Sequence, residues 1–258
     1  MKILLVLAML LVWMVPAQAA VRSAPVEYKQ GEVILEGYLA YDDAVKGKRP
    51  GVLVVHEWWG LNGYVKGRAD QLAQMGYVAF APDIYGKGKI AKDPTEAGKL
   101  AGIYWSDRKL LRARANAGLD ILMKHQLTDP ERVAAIGYCF GGTTVLELAR
   151  SGADIAGVVS FHGGLDTPDP NDAKNIKAKV LVLTGADDPT VPPSQVLAFA
   201  DEMRKARVDW QLVMCGGAVH SFTNPASGND PSKGVAYNEK ADRRSWQAMK
   251  DFFAEMFK

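Results

Sequence analysis

The most constraining stretch of the chain runs from Val133 to Leu146. An apolar run, Val133-Ala134-Ala135-Ile136, leads into Gly137-Tyr138-Cys139-Phe140-Gly141 and then into the helix-forming Gly142-Thr143-Thr144-Val145-Leu146. This reads as a buried strand, a very tight turn and a helix. A turn this short holds its central residue in strained backbone, and a side chain on either flanking glycine would collide with neighbouring main chain. The Cys139 side chain then projects at the carboxyl end of the strand. The next N–H, on Phe140, opens a helix and can stabilise an oxyanion. A buried cysteine in an ordinary strand–helix turn fits the same residues, since free cysteine packs as a small core residue. The rest of the chain has to decide.

The 258 residues are enough for one large core. A net charge of +2 provides no strongly basic or acidic field, so nucleic acid is not an expected partner. Residues 1–19 differ from the remainder of the chain: Lys2, an apolar run from Ile3 to Val15, then Pro16 and Ala17-Gln18-Ala19. That is the layout of a secretory signal peptide. The run is shorter than the ~20 residues that span a bilayer. Cleavage is expected before Ala20, with export to a periplasm or the medium and no membrane span left afterwards. Export gives weight to the two cysteines, Cys139 and Cys215. An oxidising compartment would allow a disulfide between them. Each sits at a separate predicted strand, however, and a bridge would consume the apex of the turn. A C-x-x-C pair for thiol-redox chemistry is absent.

Along the chain, Val26 to Tyr41 reads as an antiparallel hairpin turning at Gln30-Gly31. Gly51 to His56 is a continuous apolar run, as in a strand buried on both faces. A helix is expected over Val65 to Gly76, a strand over Tyr77 to Ala81, and a Gly/Lys-rich loop over Pro82 to Asp93. Glu96 to Gln126 reads as helix broken near Ser106-Asp107. Further strands are expected over Ile155–Phe161, Lys179–Thr184 and Trp210–Met214, with helices at Ser194–Ala206 and Asn238–Phe257. In the last helix Trp246, Met249, Phe253 and Met256 form the apolar face, and Asp242, Arg243, Arg244 and Lys250 a solvated one. Strands alternating with helices predict a mostly parallel sheet covered on both faces. With no linker or repeat, the expectation is one domain from Ala24 to Lys258, read as a monomer.

A thiol nucleophile needs a base, and the base needs an orienting acid. The chain supplies Cys139, then Asp187 just past one strand, then His220 just past the last. Open α/β sheets place their sites in such loops. Asp188 is adjacent to Asp187, but Asp187 is taken as the acid because it follows Gly185-Ala186 off the strand. Asp188, before Pro189, is read as a turn or helix cap. His56-Glu57-Trp58-Trp59-Gly60 lacks the second histidine of a zinc-binding H-E-x-x-H, so no metal is expected. The Trp58 N–H is instead the candidate second oxyanion donor beside Phe140. Glu57 is placed near Cys139, or alternatively exposed or paired to Arg68. Gly86-Lys87-Gly88-Lys89-Ile90-Ala91 matches a dinucleotide fingerprint only formally, since no helix plainly starts there, and no cofactor is expected.

With these residues placed, the chain resembles the dienelactone hydrolase family of cysteine α/β-hydrolases. The resemblance rests on His56–Gly60, Pro82–Gly86, Gly137–Gly142, Gly185–Pro192 and Ala218–Phe222. It implies an α/β-hydrolase fold: a mostly parallel central sheet, helices on both faces and an N-terminal antiparallel hairpin. It also implies hydrolysis of small activated esters or lactones through an acyl-thioester on Cys139. The resting thiol would lie close to Glu57, with His220 as base. The expected substrate pocket comprises Trp59, Tyr85, Lys87, His162, Ser221 and Phe222, although His162, which also follows a strand, reads more readily as making a structural hydrogen bond to loop backbone. Family members that act on dienelactone bind its carboxylate with arginines at two positions, which here hold Lys87 and Asn224. That weakens a carboxylate clamp there, since lysine lacks the bidentate fork and asparagine the charge. If the triad were idle, the chain would instead be an exported small-molecule-binding protein on a hydrolase scaffold.

Overall fold

The computed structural model describes residues 21–258. The signal-peptide reading concerns residues 1–19 and lies outside the described residues. The chain runs β1 (Val21–Gln30), β2 (Val33–Asp42), β3 (Arg49–Val55), α1 (Gly63–Gln74), β4 (Val78–Ala81), α2 (Pro94–Ser106), α3 (Arg108–Lys124), β5 (Thr128–Tyr138), α4 (Phe140–Arg150), β6 (Gly157–Phe161), β7 (Lys179–Gly185), α5 (Pro193–Ala206), β8 (Trp210–Cys215) and α6 (Glu239–Met256). Short 3-10 turns lie between some of these elements.

The eight strands form one sheet in the order β1-β2-β4-β3-β5-β6-β7-β8. The hairpin β1–β2 is antiparallel and joins β4 antiparallel. All pairings from β4 through β8 are parallel. The chain leaves β3 towards β4 on one side and returns through β5 on the other. The gap between the carboxyl ends of β3 and β5 is therefore a topological switch point, where α/β sheets build their sites.

Two apolar layers hold the sheet. Val65, Ala69 and Leu72 of α1 and Met249, Phe252 and Phe253 of α6 pack on one face. Leu111, Ala115 and Leu119 of α3, Val145 and Leu148 of α4, and Phe199 and Met203 of α5 pack on the other. Each large buried side chain is worth about 1.5–3 kcal/mol of transfer free energy, so helices cover both faces because both faces are apolar.

Some boundaries differ from the sequence expectation for local reasons. β5 begins at Thr128, ahead of Val133, because a register shift beside Pro50/Gly51 lets Asp129 face Pro50 before Val133 faces Gly51. The α2–α3 break falls at Asp107, whose side chain accepts the Leu110 N–H and so restarts the helix. Asp242 does not belong to a solvated face. It sits 2.6 Å from Arg68 Nη2, and this pair ties α6 to α1.

Candidate active site

Between β5 and α4 a single residue makes the turn. Cys139 has φ 54°, a left-handed region that costs a residue with a Cβ of order 1–3 kcal/mol. Its surroundings hold it there. The Cys139 N–H donates to the Phe161 carbonyl at 2.9 Å and lies 3.1 Å from His162 Nδ1. A Cβ on Gly137 would stand 2.0 Å from the Gly141 oxygen, and one on Gly141 would stand 2.2 Å from the Val55 oxygen. The two flanking glycines are thus what let β5, α4 and the end of β3 approach so closely.

Cys139 Sγ lies 3.0 Å from His220 Nε2. His220 Nδ1 lies 2.8 Å from Asp188 Oδ2 and 2.9 Å from Thr190 Oγ1. The other Asp188 oxygen accepts the Thr190 N–H at 2.8 Å and its hydroxyl at 2.7 Å. Burial disfavours a charged imidazole, but the Cys139 sulfur and the Asp188 carboxylate outweigh it and hold His220 well above its usual value. Burial likewise opposes the Asp188 charge, and the His220 and Thr190 hydrogen bonds overcome it, so its carboxyl stays below the usual range. An imidazolium beside the sulfur is the arrangement that stabilises a thiolate.

The carboxylate that meets His220 is therefore Asp188, and the expectation of Asp187 at that place is corrected. Asp187 is exposed, and its Oδ2 accepts the Gly217 N–H at 2.9 Å. The Asp187 N–H is itself bound to the Ala218 carbonyl, which fixes that residue against the turn after β8. The next side chain points the opposite way, inward beneath His220. Asp188 does cap its own turn, as expected, with one oxygen, while the other serves His220.

Glu57 is buried and lines the same cavity as Cys139, with no hydrogen bond to the thiol and none to Arg68. Its Oε1 accepts the Ser221 hydroxyl at 2.8 Å and its Oε2 the Asn224 amide at 2.6 Å. Burial pushes its carboxyl up in spite of both bonds. Among the described residues, the N–H groups of Phe140 and Trp58 have no protein acceptor, so both are free to bind an oxyanion.

The pocket expectation is corrected at Lys87, Tyr85 and Phe222, while His162 takes the other role expected of it, a structural hydrogen bond to backbone. Lys87 stands on the surface, where its Nζ meets Glu27 at 2.6 Å and Glu36 at 3.3 Å on the hairpin. Tyr85 is buried behind the wall, its hydroxyl donating to the Trp58 carbonyl at 3.0 Å. His162 is fully buried. Besides the Cys139 N–H, it bonds Thr223 Oγ1 through Nε2 at 2.7 Å. Burial and the nearby His220 charge hold it well below its usual value, so it is neutral. Phe222 is buried with its ring against His162. Trp59 and Ser221 do line the cavity. It has a volume of about 910 Å³, and Trp58, Trp105, Phe140 and Val235 add to its apolar wall.

Sequence reasoning missed Thr190, Trp105 and Arg108. Only Thr190 had a local signal, two residues after Asp188 in an Asx-turn. Among the described residues, no group of three or more His, Cys, Asp or Glu is placed to hold a metal ion. The two cysteines are free. Cys139 follows β5 and Cys215 ends β8, three strand spacings or about 14 Å apart in the sheet, beyond the reach of a disulfide.

The model of the dienelactone hydrolase family matches residues 35–257. A protein named usf from Aquifex pyrophilus is 34% identical over 203 residues, covering 77% of this chain and 86% of its own. A protein of Aquifex aeolicus with the provisional name carboxymethylenebutenolidase is 31% identical over 237 residues, covering 90% and 98%. The crystal structure of a dienelactone hydrolase-like promiscuous phosphotriesterase from metagenomic libraries superposes with a TM-score of 0.88 at 43% identity, covering 92% of this chain and 99% of that one.

Proposed function

The chain belongs to the dienelactone hydrolase family and is a hydrolase of the ester or lactone type; from that premise we propose that it cleaves small activated esters or lactones by a Cys139-His220-Asp188 triad, through an acyl-thioester. The observation that carries this reading is the continuous line of contacts from Cys139 Sγ to His220 Nε2 at 3.0 Å and from His220 Nδ1 to Asp188 Oδ2 at 2.8 Å.

That line supports the following steps. The sulfur attacks the carbonyl carbon, and the C=O electron pair moves onto oxygen. The N–H groups of Phe140 and Trp58 bind that oxyanion. Collapse expels the alkoxide, which takes a proton from the His220 imidazolium, and leaves the acyl group on sulfur. His220 then removes a proton from water as it attacks the thioester, and the acid departs with the sulfur restored as thiolate. Asp188 fixes the imidazole tautomer and balances its charge throughout. Good leaving groups suit this chemistry, because the proton available for the departing oxygen sits on a single histidine.

Residues 1–19 support export of the mature chain. The test of the catalytic reading is a panel of 4-nitrophenyl and enol esters. Wild type should turn them over with a burst of released alcohol, and Cys139→Ala should lose both burst and turnover. Binding without turnover would favour an idle triad on a hydrolase scaffold. Equal turnover by Cys139→Ala would remove the cysteine from the mechanism.

A further inference from the structure

Among the described residues, four that are not glycine have positive φ: Cys139, His162, Arg207 and Ser221. Arg207 closes α5, where a left-handed residue commonly ends a helix. The other three meet at the cavity: Cys139 and Ser221 line it, and His162 bonds the Cys139 N–H from behind. His162, at φ 41°, is the fully buried one of the three. Strain of this kind persists only where the surroundings hold it, and it gathers at functional sites.

The bonds to His162 have a direction. The Cys139 N–H can only donate, so Nδ1, 3.1 Å away, is an acceptor. Burial, with the charges of His220 and Arg68 behind it, keeps the ring neutral. A second proton would also point at the Cys139 N–H. The one ring proton is therefore on Nε2 and is donated to Thr223 Oγ1 at 2.7 Å. Thr223 belongs to the loop that follows His220 and is itself anchored. Its hydroxyl meets the Tyr64 hydroxyl at 2.7 Å, and its carbonyl accepts Arg68 Nη2 at 2.8 Å. The ring packs edge-on against His220, with centroids 5.4 Å apart, and against Phe222. One side chain thus holds the peptide of the nucleophile with one nitrogen and the loop that carries the base with the other.

We propose that His162 is a positioning residue for the reaction: by bridging the Cys139 N–H and the Thr223 hydroxyl, it sets the approach of His220 Nε2 to Cys139 Sγ. This rests on the hydrolase reading above, since the 3.0 Å contact it sets is the one the attack uses. The Cys139 N–H also donates to the Phe161 carbonyl at 2.9 Å. The turn therefore stays hydrogen-bonded without His162, and its removal falls on alignment. Alignment matters to rate: a misplacement of about 1 Å between reacting groups costs roughly 10²-fold.

Three variants separate the two arms of the bridge. An asparagine oxygen can stand where Nδ1 stands, so His162→Asn keeps the acceptor for Cys139 and loses Thr223; asparagine also suits left-handed backbone. His162→Gln reaches Thr223 and leaves Cys139 without a side-chain acceptor. His162→Leu keeps neither. On 4-nitrophenyl acetate, kcat should fall by roughly 10²-fold in His162→Leu with little change in KM, and by less in the other two. Alkylation of Cys139 by iodoacetamide, read on its own peptide, should slow in all three at about pH 6, where a cysteine without a cationic partner is nearly all thiol. Wild-type kcat and a wild-type alkylation rate in any folded variant overturn the proposal, whatever its melting temperature. Should His162→Leu fail to fold, the other two decide by the same criterion. The alkylation rate needs no substrate. A wild type that alkylates in this way yet hydrolyses no ester therefore counts against the hydrolase reading and not against the bridge.

Discussion

Asp187 and Asp188 are neighbours in sequence with opposite surroundings. One caps an exposed turn and the other sits under His220. Asp188→Asn should therefore lower kcat/KM by about 10²- to 10⁴-fold, because the amide permits the wrong imidazole tautomer. Asp187→Asn should change it by no more than a few-fold; steady-state kinetics on an activated ester checks both. Cys139 and His220 were legible because the turn and the chain order declare them. The choice between adjacent aspartates was not, since it depends on the backbone path of one loop. Glu57 makes a second test at this scale. Its folded-state value is raised by burial above the ordinary 4.5. The native state thus holds the proton more tightly than the unfolded chain, and the contribution to stability is lost as pH rises from 4.5 through the folded value. The melting temperature of Glu57→Gln relative to wild type should climb across that window. A difference that is flat with pH would mean that Glu57 is ionised in the folded protein.

The elements were legible wherever a local pattern determined them. Continuous apolar runs marked β3, β5 and β7 as strands buried on both faces, and Asn238 and the apolar spacing marked α6. The misplaced residues have a common cause. Lys87, Tyr85 and Asp242 are positioned by partners far away in the chain: Glu27 and Glu36, the Trp58 carbonyl, and Arg68. No local spacing carries such contacts. The turn between β5 and α4 gives the sharpest prediction for an element. In Gly137→Ala the new methyl meets backbone, not a flexible side chain, 2.0 Å away. The loss of stability should reach or exceed the ~1–3 kcal/mol typical of overpacking, measured by urea denaturation. The same change at Gly67, where a Cβ would meet nothing within 4 Å, should not be destabilising. Equal effects at the two sites would contradict the role given to the turn.

For the whole molecule, the order of the strands decides more than any motif. It brings the ends of β3 and β5, and the loops after β7 and β8, to one edge, so that residues as far apart as Glu57 and Asn224 share a cavity. It also keeps Cys139 and Cys215 apart. Thiol titration of the unfolded, unreduced protein should therefore find both of its cysteines free. If the leader acts as proposed, the N-terminal residue of the exported chain is Ala20. The claim on which the rest depends is that Cys139 becomes acylated. Intact-mass analysis of enzyme quenched in acid during turnover of a 4-nitrophenyl ester tests it directly. The account predicts a mass increase equal to one acyl group, carried by the Cys139 peptide, labile to hydroxylamine and absent from Cys139→Ala. Turnover with no adduct, in the presence of a full burst, or an adduct on any other residue would contradict it.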